Sequence, residues 1–165
     1  MRQYFFAILL VLLLAGEARA QGIEPCSPDY AGMVVQLTNA YRQTYGRAPL
    51  KWNAELAQAA ANHAYWMASA NTLSHIDARG MRVRDRVEQT HYAEFMPTVA
   101  ENIANGHNTP QKVIAAWQAS PSHNMALLLP DADDIGVACF VNPASQYKTF
   151  WVQVFASREG ALIFR

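Results

Sequence analysis

The sequence predicts an α+β protein, helices first and strands last. Two patterns carry that expectation. Apolar residues between Tyr30 and Trp117 mostly recur at helical spacing, whereas residues 135–141 and Thr149–Ala156 read as strands. Residues 142–147 have turn chemistry and fit an antiparallel hairpin, so strands that pair locally suit this chain better than a doubly wound parallel sheet.

The first twenty residues stand apart. Arg2 gives a positive start, Tyr4 through Ala15 form an apolar run of twelve, and Ala18-Arg19-Ala20 makes a small-x-small ending. This reads as a cleaved signal peptide over residues 1–20, with the mature chain starting at Gln21 and exported to periplasm or medium. The alternative, a membrane anchor, needs roughly 20 apolar residues and the run is too short. About 145 residues then remain, enough for one domain and one core. Lys plus Arg and Asp plus Glu number 13 each, and no basic stretch appears, which speaks against a nucleic-acid partner. A monomer is expected.

Element by element, Ser27-Pro28 offers cap and first-turn chemistry for a helix with Tyr30, Met33, Val34, Leu37 and Tyr41 on its apolar face. Gly46 ends it. Asn53 caps a second, alanine-rich helix to about residue 70, with Leu56, Ala60, His63 and Met67 on one face. A short helix over 83–89 and a brief strand over 99–103 follow. Thr109-Pro110 starts a helix that turns Val113, Ile114 and Trp117 inward, and Ser120-Pro121 begins another that ends before Pro130. In Thr149–Ala156, Trp151, Gln153 and Phe155 alternate with Phe150, Val152 and Val154. Trp52, Trp117 and Trp151 read as core. In an oxidising compartment Cys26 and Cys139 favour a disulfide, with two separate buried thiols as the alternative.

Seven motifs then appear in one order: Asn39-Ala40-Tyr41-Arg42, Pro49-Leu50-Lys51-Trp52, Leu73-Ser74-His75, Ala100-Glu101-Asn102-Ile103, Trp117 with Ser120-Pro121-Ser122-His123-Asn124, Ile135-Gly136-Val137, and Trp151-Val152-Gln153-Val154-Phe155. In this order they resemble the CAP superfamily, or SCP domain, of cysteine-rich secretory, antigen 5 and pathogenesis-related proteins, and its compact bacterial branch in particular. The likeness divides the chain into a signal peptide (1–20), a lead-in (21–32), the CAP domain (33–156) and a tail (157–165). It implies an α-β-α sandwich with a central antiparallel sheet between helical layers. It also implies a cleft holding His75, His123 and Glu101. The second acid of the eukaryotic pattern falls three residues after Trp117, where this chain has Ser120.

Two neutral imidazoles and one carboxylate would make a three-ligand zinc set, with water in the fourth position. Alternatively, Glu101 hydrogen-bonds an imidazole and organises the cleft without metal. Ser120 and Ser122 beside His123 imitate the parts of a hydrolase, although Ser120-Pro121 is also ordinary helix-start chemistry and no Gly-x-Ser-x-Gly elbow occurs. Binding module, hydrolase of peptides or cell-envelope material, and small-lipid or sterol carrier are thus the three readings, the first leading. The partner would be an extracellular ligand, lipid or protein. His63 is expected in the core, His91 and His107 in solvent. Glu94 is a candidate substitute for the missing acid, Asn102 is expected to fix the backbone around Glu101, and Tyr92, Phe95 and Met96 form an apolar patch expected to pack on the core.

Overall fold

The computed structural model describes residues 22–92 and 96–158. The elements are β1 (Glu24–Pro25), α1 (Asp29–Thr44), β2 (Lys51–Trp52), α2 (Ala54–Ala70), α3 (Val83–Glu88), β3 (Val99–Asn105), α4 (Pro110–Ala119), α5 (Pro121–Leu127), β4 (Asp134–Val141) and β5 (Thr149–Ala156). The expected signal peptide, Glu94, Phe95 and most of the tail lie outside the described residues. No helix among the described residues is long and apolar enough to cross a membrane.

Every residue of β5 is buried because both faces of the strand are covered. Side chains alternate along a strand. Phe150, Val152, Val154 and Ala156 therefore enter one core with Leu56, Ala60, Ala64 and Met67 of α2 and Val87 of α3. Trp151 and Phe155 enter a second core with Val34 of α1, Val113, Ile114 and Trp117 of α4 and Leu127 of α5. The expected sandwich is present: α2 and α3 below the sheet, α1, α4 and α5 above it. Strand order is β1-β4-β5-β3, antiparallel throughout, and the short β2 runs parallel to β4. β3 is thus an edge strand.

The β4–β5 hairpin forms as its turn chemistry predicts. Asn142 Oδ1 accepts from the Ala144 N–H, and its Nδ2 donates to Ala68 O at 2.8 Å, which ties the loop to α2. Cys26 and Cys139 are joined in a disulfide with a Cα–Cα distance of 5.3 Å. Beside it, the Cys26 N–H donates to Cys139 O at 2.9 Å.

Asn53 caps α2 as expected, its Oδ1 accepting from the Leu56 N–H at 2.9 Å. Gly46, at φ +67°, follows α1 in a Schellman arrangement, with Arg47 N–H to Arg42 O and Gly46 N–H to Gln43 O. α5 starts as expected, with Ser120 in the cap position and Pro121 first, whereas α1 starts at Asp29 with Pro28 in the cap position; among the described residues neither end has a side-chain cap bond. Proline's preset backbone angle starts both helices without the hydroxyl. Trp52 is also not core: it is 49% exposed, because β2 is only two residues long and pairs at a strand end. Tyr92 and Met96 pack into the α2-side core as expected.

Gly136 faces α2. A Cβ there would overlap backbone atoms of Leu56 and Ala57, so the helix lies on the strand only because this residue has no side chain.

Candidate functional site

Successive residues of the edge strand β3 serve opposite layers. Glu101 turns toward α3 and the loop that follows α2. Its Oε1 lies 2.8 Å from His75 Nδ1, and its Oε2 accepts from Arg86 Nη2 of α3 at 2.6 Å. The Glu101 side chain is 2% exposed and that of Arg86 4%, so this is a buried ion pair, whereas half of the His75 side chain meets solvent. Arg86 Nη1 also donates to His75 O and Met81 O, at 3.2 and 2.7 Å. One guanidinium therefore holds both the carboxylate and the backbone of the histidine bound to it.

Asn102 turns the other way. Its Nδ2 donates to His123 O at 3.1 Å and Gln153 Oε1 at 3.3 Å, while Gln153 Nε2 reaches Thr38 of α1. Asn102 thus positions His123 rather than the backbone around Glu101. Burial, and then the nearby charge of His75, push the His123 pKa below its ordinary value. His123 is neutral at neutral pH, with nitrogen lone-pair capacity for a ligand.

The family model "CAP: Cysteine-rich secretory protein family" matches residues 35–155. The chain belongs to this family. It is 32% identical over 129 residues to "Uncharacterized protein YkwD" of Bacillus subtilis (strain 168), a match covering 78% of this chain and 48% of that protein. The chain therefore spans about half the length of that relative. Among solved structures, an outer surface protein of Borrelia burgdorferi superposes with a TM-score of 0.69 at 23% identity, covering 78% of this chain and 92% of that one. An extracellular SCP-domain protein of Bacillus anthracis str. Ames gives 0.68 at 24%, covering 81% of this chain and 45% of that one. These two likenesses establish the CAP fold.

Within the CAP domain, Ser120 is half-buried and its hydroxyl lies 3.4 Å from that of Ser122. Among the described residues neither serine hydrogen-bonds an imidazole. No group of three or more His, Cys, Asp or Glu side chains among the described residues gathers as a metal-ligand set. Glu101 explains this locally, since both of its oxygens are already engaged by His75 and Arg86. His91 is exposed as expected. His107 is partly buried, and burial followed by the charge of Lys112 lowers its pKa. Its carbonyl anchors Trp151 Nε1 and Thr149 Oγ1, which keeps the residue on the sheet instead of in open solvent. His63 is in the core as expected, 1% exposed, with Nε2 bonded to Ser74 O at 2.8 Å.

Arg86 is the functional residue that sequence reasoning missed. The signal that could have found it is electrostatic: a carboxylate at an apolar strand position needs a counter-charge when buried.

Proposed function

We propose that the chain is an exported binding module whose His75/His123 cleft takes a divalent metal or a small ligand through imidazole nitrogens. Export follows from the leader-like first twenty residues and agrees with the description of the Bacillus anthracis relative as extracellular. The observation that carries the reading is the Arg86–Glu101–His75 relay. With Glu101 ionised, the His75 Nδ1 proton is directed to the carboxylate, which leaves Nε2 as a lone-pair donor. This is the carboxylate–histidine arrangement that orients metal-binding imidazoles. In this reading Glu101 is not a ligand but the group behind one. His75 and His123 would supply the two protein donors, with water or ligand atoms filling the rest of the shell. A bound metal would supply Lewis acidity.

Titration calorimetry with zinc chloride tests this. The native protein should take up one equivalent. His75→Ala and His123→Ala should each weaken binding at least about tenfold, and Glu101→Gln by about 10- to 100-fold. Stoichiometric uptake retained in the double histidine variant would overturn the assignment.

A further inference from the structure

On the α2 side of the sheet lies a feature lined by neither His75 nor His123. It is a cavity of about 650 Å³ between α2, the loop around Asp77 and the end of α3. Arg86 is its one residue in common with the relay described above. Its size falls in the small-molecule range of about 300–1,000 Å³.

The lining selects the ligand by elimination. Arg79 is bonded to Asp77 at 3.1 Å and Arg86 to Glu101 at 2.6 Å, so the cations on the wall are already neutralised and no anion is called for. Asp77 is spent in the same way: its Oδ1 also accepts from the Arg79 and Met81 N–H groups. Among the described residues Glu55 alone contributes an unpaired charge to the wall. Of the remaining polar groups, Gln58, Asn62 and Gln89 carry neutral side-chain amides that both donate and accept, the Thr90 hydroxyl donates to Val87 O at 2.6 Å, and His91 is exposed. Gln58 Nε2 is bonded to Asn62 Oδ1 at 2.9 Å, and Gln89 Oε1 accepts from Arg79 Nη1 at 3.3 Å, so these amides are held by neighbours while retaining spare N–H and C=O capacity.

Two further groups complete the surface. Trp66 lies stacked on His63 with ring centroids 5.3 Å apart and remains partly exposed, an aromatic surface fixed in place. His63 is a buried residue of the wall, 1% exposed. Its Nε2 is committed to Ser74 O, and among the described residues its buried Nδ1 has no hydrogen-bond partner. That nitrogen calls for a donor. An uncharged ligand with one flat C–H face and several hydroxyls, each both donor and acceptor, matches the amides, the indole face and the His63 nitrogen.

The geometry points to a saccharide site: a short neutral glycan with a ring face on Trp66 and hydroxyls on Gln58, Asn62 and Gln89. The inference is independent of metal binding at His75 and His123.

Saturation-transfer NMR and calorimetry with cellotriose, maltotriose and chitotriose test it on the full chain. At least one trisaccharide should bind saturably below about 10 mM. Affinity should fall at least about tenfold in Asn62→Leu, a change at an exposed helix position that leaves the core intact, and likewise in Trp66→Ala. His75→Ala should bind the sugar as the native protein does. The proposal fails if none of the three binds at about 20 mM, or if Asn62→Leu paired with Gln58→Ala binds undiminished. Uptake of a long-chain fatty acid with no uptake of any trisaccharide would also overturn it.

Discussion

Replacing Arg86 with methionine would probe the ion pair behind His75. Methionine keeps the length and apolar contacts of the side chain but removes the guanidinium. Three bonds go with it: 2.6 Å to Glu101, 2.7 Å to Met81 O and 3.2 Å to His75 O. The first dominates, because at 2% exposure the Glu101 carboxylate has almost no access to water. Breaking one partner of a buried pair costs about 3–5 kcal/mol, whereas each lost bond to a carbonyl costs about 1 kcal/mol. Urea unfolding should therefore show stability reduced by at least about 3 kcal/mol, with the midpoint falling and the slope unchanged. Glu101→Gln alone leaves the buried Arg86 charge without its counter-ion, so it is destabilising too. The double variant removes both charges and should be less unstable than the two losses summed, by about 1–3 kcal/mol. Single costs below about 1 kcal/mol that simply add would refute the claim that this pair is buried and mutually dependent.

Three other outcomes are expected of the same fold. Serine at Cys26 and Cys139 opens a link spanning 113 residues and should lower stability by about 4–5 kcal/mol on the loop-entropy model; equal unfolding midpoints with and without reductant would contradict it. Gly136→Ala forces a methyl group into the α2 backbone and should cost about 1–3 kcal/mol, read as a lower melting temperature. Burial is the leading cause that depresses His63, His107 and His123 in the folded state, so the unfolded chain takes up protons first as pH falls. Stability should be fully present above about pH 6.5 and decline from there toward the lower folded pKa values. Urea midpoints at about pH 7.5 and about pH 5.5 check the sign, and a midpoint that rises on acidification would reverse it.

Local chemistry made most of the helices legible. Asn53 could be read as a cap and Gly46 as a stop because each acts on backbone groups within a few residues of itself. The alternation in β5 was legible for a similar reason, since the two faces of one strand meet two different cores. The pairing of His75 with Glu101 came from ordered motifs, not from spacing, since 26 residues separate the two. What stayed hidden depends on distant partners. β1 and β2 are two residues each and exist only because β4 is beside them. Arg42 is fully buried and serves carbonyls of Ala48, Leu127 and Leu129, which no local pattern announces. Trp52 misled because an indole suggests burial, yet its neighbours end before they cover it.

The bare α-carbon at Gly136 works as a depth gauge for α2. Because the start of α2 rests directly on the sheet at Leu56 and Ala57, the height of the whole rod above β4 is fixed at that end. About two turns further on, the same rod carries Asn62, His63 and Trp66. A methyl group added beneath Leu56 would therefore be felt at Trp66, far from the atom that was changed.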